Sequence, residues 1–318
     1  MISNEDFDNK QIVIINTQKG DKLSFLNDNI IVKNEKNIKL QHSCYKTFAI
    51  LILGDMSITT GLIKRAEKYD ISIVLASKSL HIYRIINNYC DGNTLLIEKQ
   101  FLYNSLDIGK HIIQNKIFNQ KRNLQKIRNK SDYVKNTISV LQKYIEQVKA
   151  AKTRSEIMGY EGMAAKIYFK AFFNNIKWTK RVPRIKLDFI NTTLDIGYTI
   201  LFNYIDMLLS LYGFNLYRGV LHTQFYMRKS LVCDIVEPFR AVIDAQIKKS
   251  ISLKQFSEND FQIINDAYIL KFENNTKYTK VFLEAINEYK KEIFIYIQSY
   301  YRAFMQGKRI EEFPFFEV

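Results

Sequence analysis

The N-terminal part of the chain is written in short apolar runs, whereas the rest repeats its apolar residues every three or four positions. Gln11–Asn16 (QIVIIN), Lys22–Leu26 (KLSFL), Asn29–Lys33 (NIIVK) and Phe48–Leu53 (FAILIL) are rich in Ile, Val and Leu. They are separated by turn formers at Lys19-Gly20-Asp21, Asn27-Asp28 and Gly54-Asp55, which predicts strands. A helix is expected over Thr60–Lys68 and a further strand over Ile71–Leu75. Antiparallel pairing is expected first, then one strand–helix–strand unit. From Thr94 the pattern turns helical. Val134, Ile138, Leu141, Ile145 and Val148 define an amphipathic helix within Ser131–Lys152. Thr153 and Glu156 read as a capping box opening the next helix, which carries Ile157, Tyr160, Ala164, Ala165 and Tyr168. Pro183 marks a break. Helices are expected across Asp195–Leu211 and Leu231–Lys248, with a loop between Gly213 and Gly219. The expected fold is α+β: a small N-terminal β-rich domain (1–93) and a larger all-α C-terminal domain (94–318).

Composition sharpens this picture. With 318 residues, 47% hydrophobic and 25% charged, the chain can bury a core as one large domain or two ordinary ones. Lys+Arg of 47 against Asp+Glu of 32 gives a formal charge of +15. Such a surplus suits a polyanionic partner, although a generally Lys- and Asn-rich composition gives the same sign. Cys44, Cys90 and Cys233 form no CxxC pair, which argues against a zinc ribbon or disulfide framework and fits a reducing compartment. The opening MISNEDFDNK is acidic and polar, unlike a signal peptide. The most apolar stretch, Leu194 to Leu216, is interrupted by Asp195 and Asp206. No uncharged run reaches the ~18 residues of a membrane span. A soluble, cytoplasmic protein without a membrane segment is expected.

Three places carry polar groups where packing favours apolar ones. Glu161 lies among small residues in Gly159-Tyr160-Glu161-Gly162-Met163-Ala164-Ala165, so its carboxylate is expected to face inward. A buried carboxylate needs a partner or a metal. His222 closes Gly219-Val220-Leu221-His222 ahead of a helix. Asp234 and Glu237 stand three apart in the otherwise apolar Leu231–Phe239, with Asp244 further along the same helical face. Each has a plain alternative: a solvent-facing Glu161, a structural His222, a surface acidic stripe. Taken together, carboxylates and one imidazole on separate helical elements suit Mg²⁺ or Mn²⁺. On a basic protein such an ion suits phosphodiester chemistry.

The segments GYEGMAAKIYF (Gly159–Phe169), GFNLYRGVLH (Gly213–His222) and SLVCDIVEPFR (Ser230–Arg240) resemble, in order, the signature segments of the CRISPR-associated DNA integrase family, the universal catalytic subunit of spacer acquisition. GDMSITTGLIKRAEKYDISIVLAS (Gly54–Ser77), KIFNQ (Lys116–Gln120) and DFINTTLDIGYTIL (Asp188–Leu201) resemble its other landmarks. The likeness spans nearly the whole chain. It places Glu161, His222 and Glu237 at the metal-ligand positions and Asp234 as an accompanying acid of the catalytic site. The third ligand is an Asp in some members and a Glu here. At Asp188-Phe189 and Asn191-Thr192 the chain departs from the family's Asp-Pro and Asn-Ala.

The resemblance implies a divalent-metal-dependent endonuclease/integrase that inserts short DNA into a repeat array by attack of a free 3′-hydroxyl. It also implies a homodimer whose β-rich domain serves dimerisation and docking. Two dimers would be joined by a small ferredoxin-like partner into a heterohexamer. Candidate DNA contacts are Arg228, Lys229, Arg181, Arg184 and Lys248, with Lys177, Lys180 and Lys249 beside them; each also reads as ordinary solvated charge. Tyr198 and Tyr226 could stack on bases, but among 20 tyrosines core packing is expected for each. Competing readings are a stand-alone nuclease for branched DNA and a non-catalytic nucleic-acid-binding scaffold. The aromatic tail Gly307–Val318 fits docking on a partner or on its own domain.

Overall fold

The computed structural model describes residues 10–35, 37–77, 82–86, 93–174, 176 and 178–318. His81, Cys90 and Lys177 lie outside the described residues. Contacts divide the chain into two units. One is Met1–Ile97 with Asp206–Phe214; the other is Glu98–Ile205 with Asn215–Val318. The division therefore falls after Ile97 rather than after residue 93, and the first unit also takes in Asp206–Phe214.

The first unit holds two sheets. β1 (Gln11–Asn16), β5 (Thr47–Leu53), β6 (Ser72–Ala76) and β7 (Ile82–Ile86) form one, in the order β1-β5-β6-β7. β2 (Asp21–Leu26), β3 (Asn29–Asn34) and β4 (Asn37–Ser43) form an antiparallel meander. The antiparallel pairing expected at the start holds for β2, β3 and β4 but not for β1, which pairs with β5 in parallel. The meander fills the connection between them. After Thr47, β5 is an unbroken apolar run, as befits a strand with a parallel neighbour on each side. The strand–helix–strand unit runs β5, α1 (Thr60–Lys68), β6, with β6 parallel to β5. Val13, Ile15, Leu23, Phe25, Ile30, Ile50, Ile52, Leu62 and Ile73 share one buried cluster.

The tight β2–β3 turn places Asn27 and Asp28 at φ 46° and 56°. These two residue types tolerate that left-handed pair best after glycine. β4 is largely exposed, its Ile38 and Leu40 alternating with Lys39 and Gln41, and β7 pairs with β6 at the sheet's end without a regular alternation. α2 (Thr94–Leu102) follows and carries the boundary between the units.

The second unit is mostly helical: α3 (Asp107–Gln125), α4 (Asp132–Ala150), α5 (Arg154–Phe172), α6 (Phe189–Leu211, whose residues from Asp206 on belong to the first unit), α7 (Ser230–Ile235), α8 (Arg240–Ser252), α9 (Asn275–Glu288) and α10 (Lys290–Gln306). It is not all-α. β8 (Phe261–Ile264) and β9 (Ala267–Leu270) pair across Asn265 and Asp266, again at positive φ (49° and 59°). α4 packs on α3 and α5 through Val134, Leu141 and Val148. Thr153 Oγ1 accepts from Glu156 N (3.2 Å), while the Glu156 carboxylate accepts from Lys152 N (2.7 Å), one residue before the cap. α6 is long and apolar enough to span a membrane by length and composition, yet 61% of that stretch is buried inside the protein, as in a core helix. The free cysteines include Cys44 and Cys233.

The C-terminal tail docks on its own unit. Asn115 and Phe316 exchange two hydrogen bonds (2.6 and 2.9 Å), and Asn119 accepts from Val318 N (3.1 Å). The Phe316 ring packs on Phe239 at 4.7 Å.

Candidate active site

All four residues singled out from the sequence lie in the helical unit. Their setting begins at Pro238. A proline has no N–H to give the carbonyl four residues back, so the helix expected across Leu231–Lys248 is broken. α7 ends, Glu237–Phe239 make a single tight turn, and α8 starts at Arg240. The continuous acidic face expected there does not form. Asp234, Glu237 and Asp244 are all buried, each with its own partners.

Asp234 is fully buried and accepts four hydrogen bonds. Oδ2 takes Val220 N (2.7 Å) and Leu221 N (3.0 Å); Oδ1 takes His222 N (2.9 Å) and His222 Nδ1 (2.6 Å). With both oxygens so occupied, this carboxylate orients the histidine. A carboxylate only accepts, so Nδ1 carries the proton and Nε2 is left as the basic nitrogen. Gly219 makes the close approach possible: a Cβ there would sit 2.5 Å from Asp234 Oδ2.

Glu237 and Glu161 converge on one cation. Lys116 Nζ contacts Glu237 Oε2 at 2.6 Å and also pairs with Glu161 Oε1. Arg240 holds the other Glu237 oxygen at 3.0 Å. Burial pushes the Glu237 carboxyl up, but Arg240 and Lys116 outweigh it and hold it below its ordinary range, with a further contribution from His222. Burial pulls the Lys116 ammonium down, but Glu161 and Glu237 keep it above its usual value. In the sequence Lys116 stands out only as the first residue of KIFNQ. The overlooked signal is a row on α3, Ile108, Ile112, Lys116, Gln120, Leu124, where a lysine stands at i+4 in a line of buried side chains.

Glu161 is partly buried on α5, its side chain 18% exposed. The small residues around it do not wall it in. Gly159 and Gly162 face open space, where an added Cβ would meet nothing within 4 Å.

Behind the site, the Tyr198 hydroxyl donates to Asp244 Oδ1 (2.5 Å) and the Tyr168 hydroxyl to Oδ2 (3.1 Å). Burial pushes the Asp244 carboxyl up to about 6. Arg240 stacks 4.7 Å above the Tyr198 ring, linking this layer to Glu237.

The basic candidates separate. Arg181 pairs with Asp195 (2.5 Å) and donates to Asn191, and Lys248 donates to Phe172 O (2.7 Å), so both tie the fold together. Arg184 is exposed, while Arg228 folds back on Thr223 O and Ser230. Lys229 lies half-buried beside it. Asp188 caps Asn191 N at 2.7 Å, and buried Asn191 accepts from Val182 N, so the divergent segment forms an ordered helix start. Tyr198 is core, as expected; Tyr226 is 87% exposed, contrary to the core packing expected of it.

Among the described residues no three His, Cys, Asp or Glu side chains stand close enough together to hold a metal ion. The donor chemistry nevertheless fits a hard divalent ion. Two carboxylates already point at one cationic centre, beside an imidazole whose Nδ1 is spoken for.

A two-unit α+β chain with an acid–histidine centre in its helical unit is the class that these features define. Residues 14–285 match the family described as CRISPR associated protein Cas1, and the chain belongs to that family. It is 29% identical over 255 residues to a CRISPR-associated endonuclease Cas1 of Thermodesulfovibrio yellowstonii, covering 76% of this chain and 78% of that one. Among solved structures it is similar to a partial Cas6-RT-Cas1–Cas2 complex (TM-score 0.75, 22% identity, 97% of this chain and 99% of that one). It is also similar to a casposase bound to integration product (TM-score 0.72, 18% identity, 94% and 92%).

Proposed function

We propose that the chain is the DNA-integrating subunit of CRISPR spacer acquisition, joining the 3′ ends of short DNA duplexes into a repeat. The observation that carries this is the convergence of Glu161 and Glu237 on one cation beside an oriented His222. Family membership, a net charge of +15 and the likeness to a casposase bound to integration product support it.

Glu161, His222 Nε2 and Glu237 would hold Mg²⁺ or Mn²⁺. That ion would polarise the phosphoryl oxygen and make the attacking hydroxyl more acidic. Asp234 fixes the imidazole plane, and Gly219 lets its carboxylate lie against the loop backbone. Lys116 and Arg240 keep two buried carboxylates in register despite their mutual repulsion, and their positive charge favours an incoming phosphodiester. In the reaction the 3′-hydroxyl loses its proton as its oxygen bonds phosphorus. The target's P–O3′ bond breaks, and the leaving oxygen takes up a proton. One phosphodiester is exchanged for another, so no nucleotide cofactor is required.

The working assembly is proposed as a homodimer, paired through the β-rich unit and bridged by a small ferredoxin-like partner into a heterohexamer, acting in the prokaryotic cytoplasm. The similar structure that contains Cas2 supports a partner of that kind. The test is a joining assay with labelled duplex carrying free 3′ ends, a supercoiled repeat plasmid and Mg²⁺ or Mn²⁺, with and without the partner. Metal-dependent transfer of label, lost in His222→Ala and Glu237→Ala, is the expected result. Cleavage without transfer would favour a stand-alone nuclease. Tight binding with neither activity would favour a scaffold, and joining in excess EDTA would sink the metal assignment.

A further inference from the structure

Phe225, Tyr226 and Met227 follow one another in the loop between His222 and α7, and they are 71%, 87% and 72% exposed. One exposed apolar side chain is ordinary; three in succession, a few residues from a candidate catalytic histidine, call for an occupant. The loop is built rather than slack. Arg228 N donates to Phe225 O (3.1 Å) and closes a turn around the three residues. Below it, the Arg228 guanidinium and the Ser230 hydroxyl (3.0 Å) both donate to Thr223 O, and Arg228 Nε donates to Ser230 Oγ (3.3 Å). Met227 sits at φ 60°, a conformation that a residue with a Cβ adopts only where its surroundings impose it. One root of the loop is His222, held by Asp234 through backbone and ring. The apolar tip is therefore set at a fixed offset from the imidazole.

The charge around it narrows the occupant. Leu221–Cys233 contains Arg228 and Lys229 and no acidic residue. An apolar tip on a basic root matches nucleic acid, whose phosphates meet the cations while its bases offer flat faces. Aromatic rings stack on any base, and an unbranched apolar side chain can wedge into a base step. We propose that Phe225, Tyr226 and Met227 form a nucleobase-stacking tip that engages the bases next to the phosphodiester under attack. The assignment rests on the DNA-joining reading above.

The test is equilibrium binding of the branched, strand-joined DNA in EDTA, read by fluorescence anisotropy. Wild type is compared with F225S/Y226S and Y226F, on DNA with intact bases or abasic sites beside the junction. The double variant is expected to bind intact DNA about tenfold more weakly, the scale of stacking one base. It should bind the abasic DNA as wild type does, and Y226F should retain affinity. The slope of log affinity against log salt should stay unchanged, because no charge is removed. Melting temperature should also hold, since both side chains are exposed. Equal losses on intact and abasic DNA, or no loss on either, would overturn the proposal. So would a change in oligomeric state, which would give the tip to a protein contact. If wild type prefers intact bases but never joins strands, the joining reading fails and the tip stands. If joining proceeds while the variant binds normally, the tip alone fails.

Discussion

Asp234 holds His222 twice through a single oxygen: Oδ1 accepts from the histidine's backbone N–H at 2.9 Å and from its ring Nδ1 at 2.6 Å. The same atom thus fixes where the residue starts and which way its ring faces. Asp234→Asn keeps the shape but turns one acceptor into a donor, among groups that only donate. Strand joining is expected to fall about 10–100-fold, as for partners that orient metal-ligating histidines. Calorimetric titration of Mn²⁺ should show weaker binding in parallel. Unchanged Mn²⁺ affinity and rate would show that the ring needs no such guide.

Lys116→Met preserves bulk and removes the charge between Glu161 and Glu237. Glu237 would then keep only Arg240, and the partly buried Glu161 would lose its Lys116 partner, which is expected to cost about 1–3 kcal/mol, read as a lower melting temperature. Mn²⁺ should recover more stability in this variant than in wild type, because the ion takes over the lost neutralisation. A variant that melts like wild type would count against the pairing.

Asp244 makes stability depend on pH. Its folded pKa of about 6 stands above the ordinary 3.8, so the folded state holds the proton more tightly than the unfolded chain. The stabilisation is full below pH 3.8 and is lost as pH rises through 6, by about 3 kcal/mol at 1.36 kcal/mol per pKa unit. Urea unfolding of wild type and Asp244→Asn between pH 4 and 7 isolates it. Wild type should lose ground against the variant as pH rises. A constant gap would refute the shift.

Gly162 occupies a helix interior with open space where a side chain would go. Gly162→Ala should therefore raise stability by about 0.5–1 kcal/mol. If DNA passes over this face of α5, next to Glu161, joining should fall despite the gain. Higher stability with full activity would clear the face of any substrate contact.

The members of the candidate site were readable because each is a polar residue in apolar or small company: Glu161, His222, Asp234 and Glu237 all stood out against their neighbours. Their division of labour was not readable. Spacing put Asp234, Glu237 and Asp244 on one helix face, and only the break at Pro238 sends each to different partners. Lys116 escaped notice because a lysine in a helix is ordinarily a surface residue; its place in a buried row shows only once the row is traced. In the fold, the apolar β1, β5 and β6 were legible, and so was the strand–helix–strand unit joining β5 to β6, but the parallel place of β1 beside β5 was not, because that pairing is set by partners distant in sequence. β4 alternates through only two apolar residues, Ile38 and Leu40, β7 lacks alternation, and β8–β9 was too short to announce itself beyond its Asn265-Asp266 turn.

One helix, α3, touches almost everything that matters in the catalytic unit. Asn115 and Asn119 hold the tail, Lys116 holds the two glutamates, and Asn119 also donates to Pro238 O in the turn bearing Glu237. Asn123 donates to Ala241 O and to the Tyr168 hydroxyl. The helical rise spaces these contacts along about 12 Å from the first to the last. The distances between layers of the site are thus set by a rigid rod and not by loops. A slip of α3 by one residue would miss every contact together, so the site has no gradual way to loosen: it is in register or it is lost.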